Sequence, residues 1–141
     1  MKKLINRAFL YTLLGLAAGV FYREFTKGMG FTGRSSLALL HPHLLGLGAL
    51  LLLIAALFAR QMPLTQEKHF SRFLLLHTIG LPLTALMMLA RGVLQVLGSD
   101  LSRGLDAAIS GVAGLGHLLL GAALVFFFLA LKKATQGEAA A

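Results

Sequence analysis

Leu40-His41-Pro42-His43-Leu44-Leu45-Gly46-Leu47-Gly48 stands near the start of an apolar run that extends over about residues 37–59. About 18 or more consecutive apolar residues is the length of a helix that crosses a bilayer. Histidine is costly in hydrocarbon and needs a partner there. Two imidazoles flanking a proline, where a helix enters the membrane, therefore read as ligands. Pro42 falls in the second turn, a little late for a helix start, so either an irregular opening or a helix that begins nearer His41 is expected.

Working outward, three further apolar runs cover about residues 8–22, 73–97 and 105–131. The fold class that follows is all-α: one four-helix transmembrane domain over residues 1–141. The chain is 57% hydrophobic and 13% charged, too apolar for a water-soluble domain of this length. The first run follows Met1-Lys2-Lys3, which also resembles a signal peptide. Three more spans come after it, so a retained first helix is expected. Ser35 or Ser36 is a candidate N-cap for the second helix, and Pro82 should kink the third. The segments at 23–36 and 60–72 read as loops, 98–104 as a tight connection, and the Ala-rich tail as frayed.

The chain carries no cysteine. Disulfides, iron–sulfur clusters, c-type haem attachment and thiolate zinc sites are thereby excluded. The net charge of +8 would suggest nucleic acid in a soluble protein. Here the basic residues lie at the ends of apolar runs, where they set topology, and no nucleic-acid partner is expected. Lys2, Lys3, Arg7, Arg60, Lys68, Arg72, Lys132 and Lys133 fall on one side. Arg23, Lys27, Arg34 and Arg103 fall on the other, with Arg91 nearby. The positive-inside rule then places both termini in the cytoplasm of a multi-pass protein of a bacterial inner membrane.

Two polar stripes run along otherwise apolar helices. His77, Gly80, Thr84, Met88, Arg91 and Gln95 share one face of the third; Asp106, Ser110, Gly114, His117 and Gly121 share one face of the fourth. Both should face protein, ligand or a subunit interface. Arg91 has two compatible readings: an ion pair with Asp106, or a charge-assisted partner for an anionic ligand group such as a haem propionate. Arg103 is a second such donor. His117, among Gly114, Gly116 and Gly121, is a third candidate ligand, with room beside it for a flat ring. His77 reads as a hydrogen-bonded packing residue, and His69 as a loop residue without a role. Gly15 and Gly19 form a GxxxG pattern suited to close helix packing.

Zinc wants three or four ligands from His, Cys or carboxylate. Haem iron needs only one or two histidines in a dry pocket with cationic propionate partners. The expected cofactor is haem b, held by His41 and/or His43 with Arg91, Arg103 and His117 around it. Electron transfer, haem handling and gas sensing are the roles that follow. The rival readings are a cofactor-free structural or assembly subunit, and a small transporter or channel subunit.

Two resemblances bear on this. Through Phe21-Tyr22-Arg23-Glu24-Phe25-Thr26-Lys27, His41-x-His43-Leu44, Met87-Met88-x-x-Arg91-Gly92 and Gly104-Leu105-Asp106-Ala107 to Gly116-His117, the chain resembles a small bacterial family of four-helix membrane proteins of unknown function. His41-x-His43 on the second of four helices, with Arg91 and Arg103 flanking the last connection, is also similar to one four-helix third of the haem–copper oxidase catalytic subunit. That resemblance implies haem ligation near the outer surface and arginines on propionates. The second histidine pair of a copper site and a tyrosine on the histidine helix are absent, so it does not extend to copper or oxygen reduction. Residues two apart on a helix point about 200° apart. His41 and His43 thus cannot grip one haem from a single helix. A homotrimer, with His43 of one subunit and His41 of its neighbour on each interfacial haem, is the arrangement expected. A redox partner remains open.

Overall fold

The computed structural model describes residues 1–138. Four long helices alternate in direction: α1 (Lys2–Gly28), α2 (Leu37–Gln61), α3 (Lys68–Val96) and α4 (Arg103–Glu138). All four are long and apolar enough to cross a membrane. A 3-10 turn, Leu64–Gln66, lies between α2 and α3. The end of the bundle where α1 begins and α4 finishes is called proximal here, and the opposite end distal.

The helices overrun the apolar runs that announce them. Arg23 to Gly28 continues α1, and Lys68 to Arg72 opens α3, although both stretches are polar enough to read as loops. His69 is accordingly helical, stacked on Phe126 at 5.8 Å. Likewise, α4 runs past Lys132-Lys133. A span marks the hydrocarbon thickness, whereas a helix can continue into the headgroup region. Of the tail expected to fray, residues 139–141 lie outside the described residues. α3 is one unbroken helix through Pro82.

The interior is divided along the bundle axis. At the proximal end, Leu4 and Ala8 of α1, Leu52, Ala55 and Ala56 of α2, Phe70 and Phe73 of α3, and Ala123, Phe127 and Ala130 of α4 form one core. At the distal end, Leu37, Leu40, Leu44, Met88 and Val96 pack with Tyr22, Phe25 and Phe31. Among the described residues, that second core draws nothing from α4. Over this stretch α4 rests on α3 along a seam of Ile109, Gly116 and Leu120, which continues as Ala123, Phe127, Ala130 and Ala134 into the proximal core. The residues of the seam recur every three, four or seven positions, which is one face of a helix.

Close approach of the helices depends on glycines. A Cβ on Gly116 would run into the Thr84 hydroxyl. A Cβ on Gly92 would lie 2.5 Å from the Leu37 backbone nitrogen. The α2 start is docked there: the Ser35 hydroxyl donates to Gly92 O at 2.9 Å, and the Ser36 N–H donates to Gln95 Oε1 at 2.8 Å. Of the two candidate caps, Ser36 holds the N-cap position without a side-chain cap bond, and the Ser35 hydroxyl accepts from the Leu37 N–H at 3.2 Å. In the same way Gly15 admits Leu45 of α2, with 2.7 Å to the site of its missing Cβ.

The α2 helix is not uniform. Leu37–His43 is α-helical, Leu44–Leu50 is a π-helix, and Leu51–Gln61 is α-helical again. The irregularity expected near Pro42 therefore falls just after it.

Gly92→Ala is expected to destabilise the protein by about 1–3 kcal/mol, because rigid backbone and not a mobile side-chain tip stands in the way. Gly28, with nothing near its missing Cβ, should accept alanine without loss. Thermal unfolding in detergent compares the two.

Candidate functional site

His43 closes the α-helical opening of α2, and His117 lies midway along α4. The seam on α3 uses Gly116, so His117 is turned about 100° from it, towards the space that α4 leaves beside α2. The two imidazoles meet there. Their ring centroids are 6.0 Å apart and their planes stand at 84°.

Each ring is fixed by its own helix. His43 Nδ1 bonds Leu39 O at 2.8 Å, and His117 Nδ1 bonds Ala113 O at 2.8 Å. A carbonyl oxygen can only accept, so Nδ1 carries the proton in both. In the neutral rings the lone pair is then on Nε2. An Nδ1–H anchored on a carbonyl with Nε2 left free is how metal-binding histidines are oriented. The contact is edge to face, at a spacing ordinary for packed rings; two imidazoles on opposite sides of one metal, each bound at about 2 Å, would have centroids about 6 Å apart.

The pair stands without further donors of the zinc kind. Among the described residues, no three of His, Asp and Glu come together. A macrocycle that brings its own four nitrogens asks only two ligands of the protein. Gly46 on α2 and Gly114 and Gly121 on α4 are exposed, and beyond their own local backbone nothing lies within 4 Å of where a Cβ would stand. Gly114 and Gly121 lie one turn to either side of His117 on the same face.

Towards the distal end, Arg91 of α3 reaches α4. Its Nη2 donates to Asp106 Oδ1 at 2.6 Å, to Asp106 O at 3.1 Å and to Ser110 Oγ at 2.7 Å. The expected Arg91–Asp106 ion pair is therefore formed. All three bonds use Nη2; among the described residues Nε and Nη1 have no partner. Ser110 stands two turns, about 10 Å, from His117 along the helix. Arg103 opens α4 and is exposed, three residues before Asp106.

His41 does not join this site. It points to α1, where its Cγ is 3.7 Å from the position of a Cβ on Gly19, and its Nδ1 is buried without a hydrogen-bond partner. The two histidines of His-x-His thus diverge, as their spacing requires. His77 is 2% exposed and bonds Leu47 O through Nε2 at 2.8 Å, the packing role expected of it. The polar stripe of α3 is interior at His77, Gly80, Thr84 and Met88. The stripe of α4 divides: Asp106 and Ser110 serve Arg91, whereas Gly114 and Gly121 border open space. An apolar cleft of about 500 Å³ lies elsewhere, between α1, α2 and α3, lined by residues such as Leu14, Leu40, Pro82 and Leu86, with no histidine.

Four helices apolar enough to cross a membrane, with an imidazole pair between the second and the fourth, define a small multi-span helical protein. The chain belongs to the family described as a protein of unknown function, DUF2871, whose model matches residues 1–134. No curated protein and no solved structure matches it.

The Arg91 and Asp106 side chains are 29% and 57% exposed, so their pair adds at most about 1 kcal/mol to stability. Arg91→Ala should accordingly lower the melting temperature of protein purified without added ligand by no more than about 4 °C. A larger fall would show that the arginine is mainly a structural strut.

Proposed function

We propose that this protein is a membrane haem b protein in which His43 and His117 of one chain ligate one iron from opposite faces. The observation that carries the reading is the imidazole pair itself: 6.0 Å between centroids, with both Nδ1 groups committed to backbone carbonyls. Haem supplies one-electron chemistry when bound. The protein contributes two axial nitrogens, open glycine-bordered walls and the spare donors of Arg91 for a propionate, with Arg103 as a second cation at the same end. If both imidazoles held the iron, the group would supply electron transfer in preference to gas binding. The likeness to one four-helix third of a haem–copper oxidase rests on His41-x-His43, Arg91 and Arg103 in the sequence alone.

The intrachain pair also bears on assembly. A trimeric ring joining His43 to His41 of a neighbour was one way to give each haem two ligands. With His117 opposite His43, each chain holds both ligands itself, and His41 is left against α1. Placement in a bacterial inner membrane with cytoplasmic termini rests on the eight basic residues at the proximal end, as counted above. A periplasm-active reporter fused to the C-terminus should stay silent; activity there would invert the orientation.

Purified protein is expected to show a Soret band with one haem per chain, whatever the oligomer. His43→Ala and His117→Ala should each convert a low-spin spectrum to high-spin or lose haem, and His41→Ala should leave it unchanged. A colourless wild-type protein that takes up no added haemin would overturn the reading. Loss confined to the His41 variant and His43 variant would restore the ring.

A further inference from the structure

The π-helix in α2 begins one residue after His43, and its geometry leaves one specific atom unprovided for. The Leu51 N–H reaches back five residues to Gly46 O. From Leu51 onward the helix is α, with bonds spanning four residues. The switch from five to four passes over one carbonyl, that of Leu47. The acceptor that no helix N–H reaches is the one that His77 Nε2–H meets at 2.8 Å. The Tyr11 ring stands edge-on to His77 at 6.1 Å and packs where a Cβ on Gly48 would lie, 2.6 Å from its Cγ. A residue of α3 and a residue of α1 thus close on the same turn.

We infer that His77 is a positioning residue, which holds α2 in its π form and thereby sets the rotation that turns His43 towards His117. This rests on the proposed role of the His43–His117 pair. A π segment absorbs one residue more than an α-helix of the same rise. Both flanks of the segment are anchored: Ser36 and Leu37 on α3 at the distal end, Leu52 and Ala55 in the proximal core. Were the segment to relax to α geometry with all its residues kept, one flank would rotate by about 100° relative to the other. His43 would then leave the face that meets His117. The relaxed form is resisted only while the carbonyl passed over is satisfied, since a bare carbonyl in hydrocarbon has no water to replace its donor.

The test uses the absence of native cysteine. In a His43→Cys/His117→Cys chain, cross-linking by a short bifunctional thiol reagent reads the α2–α4 juxtaposition without haem. Adding His77→Leu should slow cross-linking about tenfold or more, from the loss of one buried hydrogen bond. Deleting Gly46, whose surroundings are open, removes the surplus residue and the need for the donor. The deletion should restore cross-linking in the His77→Leu chain, including where His77→Leu alone misfolds. Undiminished cross-linking in His77→Leu, or no rescue by the deletion, overturns the inference. Slowed and rescued cross-linking in a protein whose wild type takes up no haem would keep the inference and dismiss the haem reading.

Discussion

Within hydrocarbon, every backbone carbonyl that a helix does not satisfy must be satisfied by a side chain. The Leu47 carbonyl is such a group, and its bond to His77 joins α2 to α3 at the middle of the bundle. Several other features lean on that junction. Above it, α2 is docked on the distal end of α3 through Ser35, Ser36 and Gly92. Below it, α2 enters the core that all four helices share. The π segment lets both dockings coexist, and His43 takes its direction from the difference between them.

The second determinant is a division of labour on α4. Its small residues, Gly116, Ala123, Ala130 and Ala134, press it against α3. One position on from Gly116, His117 is carried off the seam and across to α2. Because the distal core is built from α1, α2 and α3, the two imidazoles meet each other edge to face beside it. Arg91 bridges α3 to α4 just beyond, using one nitrogen for all its protein bonds. The arrangement leaves polar groups facing a space instead of consuming one another.

Much of this was legible in the sequence, for reasons that can be named. Four apolar runs give four helices, because only helices satisfy their backbone in a bilayer. The divergence of His41 and His43 follows from 100° per residue, and the Arg91–Asp106 pair from their nearness to one short connection. The helix ends were misjudged because Arg23, Lys68 and Lys132 mark the ends of the apolar runs and not the end of helical hydrogen bonding. The His43–His117 pairing within one chain was legible only as the alternative to the ring: the two stand on non-consecutive helices, and their apposition depends on α4 being rotated by Gly116. The π segment was hidden more deeply. Pro42 announces an irregularity at this end of α2 but not its form, Leu44 to Leu50 carries no residue that forbids an ordinary α-helix, and the buried His77 has its partner on another helix.

The ligation of one iron by His43 and His117 is tested most directly by electron paramagnetic resonance of the oxidised, haem-loaded protein. Imidazole planes at 84° predict the strongly anisotropic low-spin ferric signal of perpendicular axial rings, lost on His117→Ala. A high-spin signal in the wild type, or a low-spin signal indifferent to His117, would contradict the account.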